Sequence, residues 1–177
     1  MEENNYLSSV ITQFRYYKSL ADKAMSQLSD EQLFFKPGSE VNSIANIAKH
    51  MCGNMLSRWT DFLSTDGEKP WRKRDAEFED DHDDYAEVLK KWEDGWNCLF
   101  KATELLGEKD LTKVVYIRGE AHSVVEAINR QVAHYAYHVG QIVFISKLLC
   151  GSEWQPLTIP KGLSEDYNAE KFTKKDL

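Results

Sequence analysis

Four stretches of this chain carry apolar residues at three- and four-residue steps, the spacing that gathers them on one face of an α-helix. The first covers about 4–28, through Leu7, Val10, Ile11, Phe14, Tyr17, Leu20, Ala21, Ala24 and Leu28. The second opens at Asn42 or Ser43, both good N-caps, and runs through Ile44, Ile47, Met51, Met55, Trp59, Phe62 and Leu63 to Asp66-Gly67. The third covers about 83–106, with Tyr85, Val88, Leu89, Trp92, Trp96, Leu99, Phe100 and Thr103 on one side. Acidic residues at its start suit the helix dipole, and Gly107 is a natural stop. The fourth opens at Ser123, with Glu126 completing a capping-box pattern, carries Val124, Val125, Ile128, Val132, Tyr135, Val139, Ile142, Val143 and Ile145, and ends at Gly151. Four such segments with almost no strand signal predict an all-α fold, a four-helix bundle with long crossover connections over residues 1–151. Residues 152–177, with Pro156, Pro160, Gly162 and a charged end, predict an irregular tail that packs on the bundle through Trp154 and Leu157 or extends from it.

The connections carry signals of their own. Ser29 followed by Gln32 resembles a capping box and predicts a short turn of helix to Phe35, ended by Pro37-Gly38. Residues 67–80 set a basic knot (Arg72, Lys73, Arg74) beside an acidic run that begins at Glu77 and Glu79 and continues to Asp84. They read as a solvated connection, of a length that can also cover a pocket. Leu111–Ile117 looks β-like and Arg118-Gly119-Glu120 suggests a turn, but the stretch is too short to imply a sheet and reads as an extended crossover.

Charge and composition exclude several functions. With 22 Lys+Arg against 29 Asp+Glu and a net charge of −7, the chain lacks the basic footprint of a general nucleic-acid binder. No apolar run reaches the ~20 residues a membrane helix needs. The start, MEENNYLSS, has neither the basic region nor the apolar core of a secretory signal, so a cytoplasmic location is expected. Cys52, Cys98 and Cys150 are scattered and form no C-x-x-C pair, which fits reduced thiols and offers no cysteine zinc site.

Any metal would therefore rest on other ligands, and the histidines are suggestive. His134 and His138 stand at i and i+4, where two imidazoles on one helix face can reach one ion. The residues between them are Tyr-Ala-Tyr, without the glutamate of the metalloprotease helix. Gln131, His134, His138, Gln141 and Ile142 form one stripe, continuous with the side that Ala127 and Ile145 turn to the core. His50, between Ile47 and Asn54 at helical spacing, also faces inward and is the candidate third ligand. Three neutral imidazoles can hold a divalent ion at about 2.0–2.1 Å and leave one position open. Spacing alone favours a second reading slightly, in which three buried histidines bond to Tyr, Gln and backbone.

Asn54 and Arg58 follow His50 by one and two turns, so both can face the same cavity. Arg58 either clamps a ligand's carboxylate or phosphate or is simply exposed or salt-bridged. Gln141 either orients a ligand or caps a polar network. Arg58 and Gln141 are thus the candidate catalytic contacts and Asn54 the candidate cofactor contact. No carboxylate stands at matched helical spacing, Glu126 being better explained as a cap, so a metal-activated nucleophile would act without an obvious general base. Tyr137 reads as packing, His82 as solvated, His122 as structural, Cys52 as a core thiol, and Trp59, Trp92 and Trp96 as core or dimer contacts.

The run Ser43-Ile44-Ala45-Asn46-Ile47-Ala48-Lys49-His50-Met51, with Gly53-Asn54, Ser57-Arg58 and Asp61-Phe62-Leu63, resembles the second helix of DinB/YfiT-like proteins. So do Ile117-Arg118-Gly119-Glu120 and the Arg130-Gln131, His134-Tyr135, Tyr137-His138 and Gly140-Gln141-Ile142 series. Within that superfamily the likeness is greatest to a subgroup of unknown function, and it covers roughly 4–150. The resemblance implies a four-helix bundle holding a metal through one histidine of the second helix and two of the fourth, here His50, His134 and His138. Nickel, zinc or manganese would all accept imidazole nitrogen, and affinity order does not choose among them. Characterised relatives include S-transferases using bacillithiol or mycothiol and a maleylpyruvate isomerase, and others are described as hydrolases only by inference. The expectation is a metal-dependent enzyme acting on a small molecule, a small-thiol S-transferase or a hydrolase, with a low-molecular-weight thiol as co-substrate in the first case. Its ion would activate water or thiol as a Lewis acid. The alternative is a non-catalytic metal- or ligand-binding stress-response protein. The family's habit of pairing bundles, with the high aromatic content here, makes a homodimer an expectation too.

Overall fold

Helices begin where a side chain can satisfy the N–H groups that a first turn leaves open. Four reciprocal capping boxes do this in the computed structural model, which describes residues 6–80 and 84–173. Ser29 with Gln32 starts α2 (Asp30–Phe34), and Ser43 with Asn46 starts α3 (Ile44–Trp59). Asp84 with Glu87 starts α4 (Tyr85–Glu104), and Ser123 with Glu126 starts α5 (Val124–Cys150). Before them comes α1 (Tyr6–Met25), and after them α6 (Ser164–Thr173). The predicted starts near Asn4 and Asp83, and His82, lie outside the described residues.

The fold is an all-α helical bundle, with α3 packed chiefly on α4 and α1 chiefly on α5. Its centre is aromatic. Phe14 of α1 meets the rings of Trp59, Trp96 and Tyr135 at centroid distances of 6.1, 6.5 and 5.9 Å. Trp92 and Trp96 are fully buried, which assigns the tryptophan stripe of α4 to the core. α3 and α4 approach closely at Gly95, where a Cβ would stand 2.9 Å from the Cα of Cys52. α3 is the most enclosed helix, with 14 of its 16 residues buried. The bundle covers one side of it and the segment that follows covers the other.

That segment departs from the expectation of a solvated connection. α3 stops at Trp59, short of Phe62 and Leu63, because Asp61 takes a left-handed φ of 50°. Asp tolerates that conformation at modest cost. The chain then folds back along α3. Ser57 Oγ donates to Gly67 O at 2.7 Å and accepts from Lys69 N at 3.1 Å, while Lys49 Nζ donates to Glu79 O at 2.8 Å. The Lys69 side chain is itself buried, donating to Thr65 Oγ1 and Asp66 O.

The crossover before α5 is also more ordered than expected. β1 (Val114–Ile117) pairs antiparallel with β2 (Glu120–Ser123). Arg118 and Gly119 both have positive φ, 56° and 76°, as a type I′ hairpin turn requires. Val115 and Ile117 face the core while Val114 and Tyr116 face solvent. The second strand, Glu-Ala-His-Ser, has no β-branched or apolar run, so its pairing is dictated by its neighbour. Asp66 fastens the turn. Its carboxylate accepts from the backbone N–H of Glu68, Arg118 and Gly119 at 2.7, 2.9 and 2.8 Å.

The tail is not wholly irregular. Trp154 and Leu157 do pack against the core. Gln155 N donates to Gln27 Oε1 at 2.8 Å, and the exposed helix α6 follows. Among the described residues no helix is long and apolar enough to cross a membrane.

Asp66 supplies a test of the hairpin's anchorage. Burial alone would raise its pKa, but the three backbone N–H donors outweigh this and hold it below the ordinary value. A lowered folded-state pKa stabilises the fold above the ordinary Asp range and the contribution fades as pH falls through it. Asp66→Asn should therefore cost about 1 kcal/mol at pH 7, since solvent screens much of the carboxylate's advantage. In denaturant titrations the gap to wild type should close below about pH 4. An unchanged midpoint at pH 7 would refute the anchoring role.

Candidate metal centre

Two helices and one loop build the site. His50 lies in the buried middle of α3, and His134 and His138 lie one turn apart on the inward face of α5, both partly buried. The Nε2 atoms of His50 and His134 are 3.4 Å apart, and those of His138 and His134 are 3.1 Å apart. A ligating nitrogen from each of the three rings lies within 4.8 Å of the others. Four ligands placed tetrahedrally at zinc–imidazole distances would stand about 3.3 Å from one another. The spacing therefore suits one small divalent ion.

The outward nitrogens explain why the rings hold this pose. His50 Nδ1 faces the Glu77 carboxylate at 2.9 Å, and His138 Nδ1 faces Gln141 Oε1 at 2.8 Å. Both partners are acceptors, so each Nδ1 carries the proton and each Nε2 turns its lone pair inward. Metal-bound histidines show the same outer hydrogen bonding. Burial pushes His134 down to about 3, helped by the neighbouring His138 and His50. Burial likewise pushes His138 down to about 4, against the opposing pull of Gln141. Both rings are neutral at physiological pH, the form that can ligate.

Glu77 is the residue that spacing could not find. It arrives from the helical turn Asp75–Phe78 in the connection after α3. Arg72 Nε and an Nη atom grip its two oxygens at 2.8 Å each. Burial would raise its pKa, but the hydrogen bonds from Arg72 and His50 prevail and keep it ionised. Phe78, from the same turn, stacks on the His50 ring at 4.7 Å. Gly53 makes the approach possible, since a Cβ there would fall on the Glu77 carboxylate. The only sequence signal for this arrangement was a loop long enough to cover a pocket.

A cavity of about 510 Å³ opens beside the rings. Asn54 and Arg58 both line it, as their spacing from His50 predicted. Asn54 Oδ1 is committed to the hydroxyl of buried Tyr135 at 3.0 Å. Arg58 is buried and paired rather than exposed. It donates to Gly67 O and to Glu68 Oε2, the latter at 3.2 Å, while its Nε has no partner. Gln141 does not line the cavity. It stands behind His138, with its Nε2 donating to Tyr137 OH at 3.3 Å, so it positions a ring. Tyr137, read from sequence as packing, is exposed at the cavity mouth. His122 sits outside the site with Nε2 buried and unpartnered, which corrects the expectation of a structural hydrogen bond there. Burial pushes the Cys52 thiol up to about 12, as befits a core residue. A separate apolar cavity of about 440 Å³, between Trp59, Phe62, Leu63, Cys98 and Leu105, contains none of the histidines.

Fold and site together define a class: an all-α bundle whose inner helices bring together three histidines able to hold a metal ion. The chain belongs to the DUF1572 family, described as proteins of unknown function, which it matches over residues 2–163. No curated protein matches it.

The carboxylate behind His50 can be tested from either side. Glu77→Gln should weaken divalent-metal affinity roughly 10–100-fold, measured by competition with a chromophoric chelator. Gly53→Ala should do the same by displacing Glu77, although Ala favours a helix by about 1 kcal/mol over Gly. The double variant should be no weaker than either single one. A Gly53→Ala protein of undiminished affinity would show that Glu77 does not act through that approach.

Proposed function

We propose that the protein is a metal-dependent enzyme of the DinB/YfiT-like kind, a small-thiol S-transferase of bacillithiol type or a hydrolase, acting in the cytoplasm on a small molecule. The observation that carries this reading is the convergence of three imidazoles on one point at the wall of an open cavity. The motif likeness around His50 and His134–His138 adds to it.

In this reading His50, His134 and His138 hold zinc, nickel or manganese. When bound, such an ion supplies Lewis acidity that lowers the pKa of a water or thiol. The chain's own residues keep the rings ready. Glu77 holds the His50 proton at Nδ1, Gln141 holds that of His138, and Phe78 covers the His50 face. None of these groups is free to attack a substrate. Both Glu77 oxygens are engaged by Arg72 and His50, and Cys52 is a buried, protonated thiol. The nucleophile then comes from outside the chain, which agrees with a low-molecular-weight thiol or water.

Protein purified without a nickel column should contain close to one divalent ion per chain by elemental analysis, and His134→Ala should abolish it. Wild type supplied with an activated electrophile should turn over with bacillithiol, glutathione or coenzyme A, or should hydrolyse the electrophile unaided. Stoichiometric metal in His134→Ala would remove that ligand from the proposal. Metal without turnover under any of these conditions would leave the non-catalytic, metal-binding alternative.

A further inference from the structure

The cavity wall has an unusual charge. The sequence holds six arginines and sixteen lysines. Five of the arginines, Arg58, Arg72, Arg74, Arg118 and Arg130, line the cavity beside the histidines, and none of the described lysines does. The sixth, Arg15, lies elsewhere and pairs with Glu104.

Internal carboxylates do not balance this group. Glu68 is shared among Arg58, Arg118 and Arg72, at 3.2, 3.2 and 3.7 Å. Glu77 is taken up by Arg72 and His50. Among the described residues Arg74 pairs only with the exposed Asp75, at 3.6 Å, and it lies over the Phe78 ring. Arg130 makes no ion pair with any described residue. Among the described residues the ion pairs of these five guanidinium groups thus involve two shared carboxylates and one solvated one, in a chain whose net charge is −7. Like charges crowded into a recess repel, and the recess concentrates positive potential. Buried Arg58 also keeps an Nε donor without an acceptor, a cost that an entering acceptor would relieve.

The choice of arginine over lysine indicates what the recess takes. A guanidinium presents a flat fork of donors that matches an oxyanion bidentately, whereas an ammonium is a point charge. Position adds direction. Arg130 precedes His134 by one turn on α5, and Arg58 follows His50 by two turns on α3. The guanidinium groups therefore flank the imidazoles from both helices. The volume admits a small molecule, and the acidic remainder of the chain disfavours a polyanion.

We propose that this recess is an oxyanion subsite, and that the protein's substrate or co-substrate is a small molecule carrying a carboxylate or phosphate, held by the arginines with its reacting end toward the histidines. Arg130, which has no ion pair with a described residue, and Arg74, whose one ion pair among the described residues is with the solvated Asp75, make the first contact. The assignment of the reacting end rests on the metal-centre reading, but the anion subsite does not.

Calorimetric titration separates the two. Succinate, inorganic phosphate and the neutral analogue succinamide are titrated into chelator-stripped and metal-loaded protein. The stripped protein should bind succinate or phosphate, should not bind succinamide, and should weaken steeply as NaCl is raised. Preference between the two anions identifies the oxyanion as carboxylate or phosphate. Exposed Arg130→Gln with Arg74→Gln should lower affinity at least tenfold, whereas Arg15→Gln should leave it unchanged. Equal affinity in the double variant, binding of succinamide as tight as that of succinate, or no anion binding at all would overturn the subsite. Metal content, measured on the same preparations, reports independently on the metal centre.

Discussion

A helix that buries polar side chains must have them satisfied from both sides, and α3 imposes that demand on the whole molecule. Lys49, His50, Asn54, Ser57 and Arg58 are all buried on it. Each would cost several kcal/mol if left without a partner, by the usual cost of burying unpaired polar or charged groups. The bundle meets part of the need through Tyr135, which bonds Asn54. The connection after α3 meets most of the rest through Gly67, Lys69, Glu77 and Glu79. The hairpin and Asp66 then hold that connection in place. The cover over α3 is therefore a structural layer of the protein.

The same layer sets the electronic state of the site. Two of the three rings have their outer nitrogen occupied by an acceptor, one anionic and one neutral. An ionised partner polarises the ring it bonds more strongly than an amide does. Arg72 keeps Glu77 ionised, which links the arginine-rich wall of the cavity to the ring it supports.

Local rules served well wherever neighbours in sequence were neighbours in space. The capping boxes at Ser29 and Ser123 have the expected partners, Ser43 is the one of the two candidate N-caps that starts α3, and the apolar spacing of the four long helices matches their buried faces. The i and i+4 pair His134–His138 faces inward with His50 opposite. Local rules failed where a distant segment decided. Asp61 ended α3 before its apolar pattern did, and β2 formed from a weak strand sequence because β1 lay beside it. Glu77 reached His50 across 27 positions, where no periodicity applies.

The sequence by itself determined the helices, their inward faces and the three imidazoles, because helical periodicity ties residue spacing directly to direction in space. Only the tertiary structure decided how α3 is covered, which carboxylate orients His50, and that five arginines from four separate segments share one recess. Those arrangements depend on chain reversals whose end points are set by long-range hydrogen bonds and packing, and such contacts leave no repeating trace along the chain.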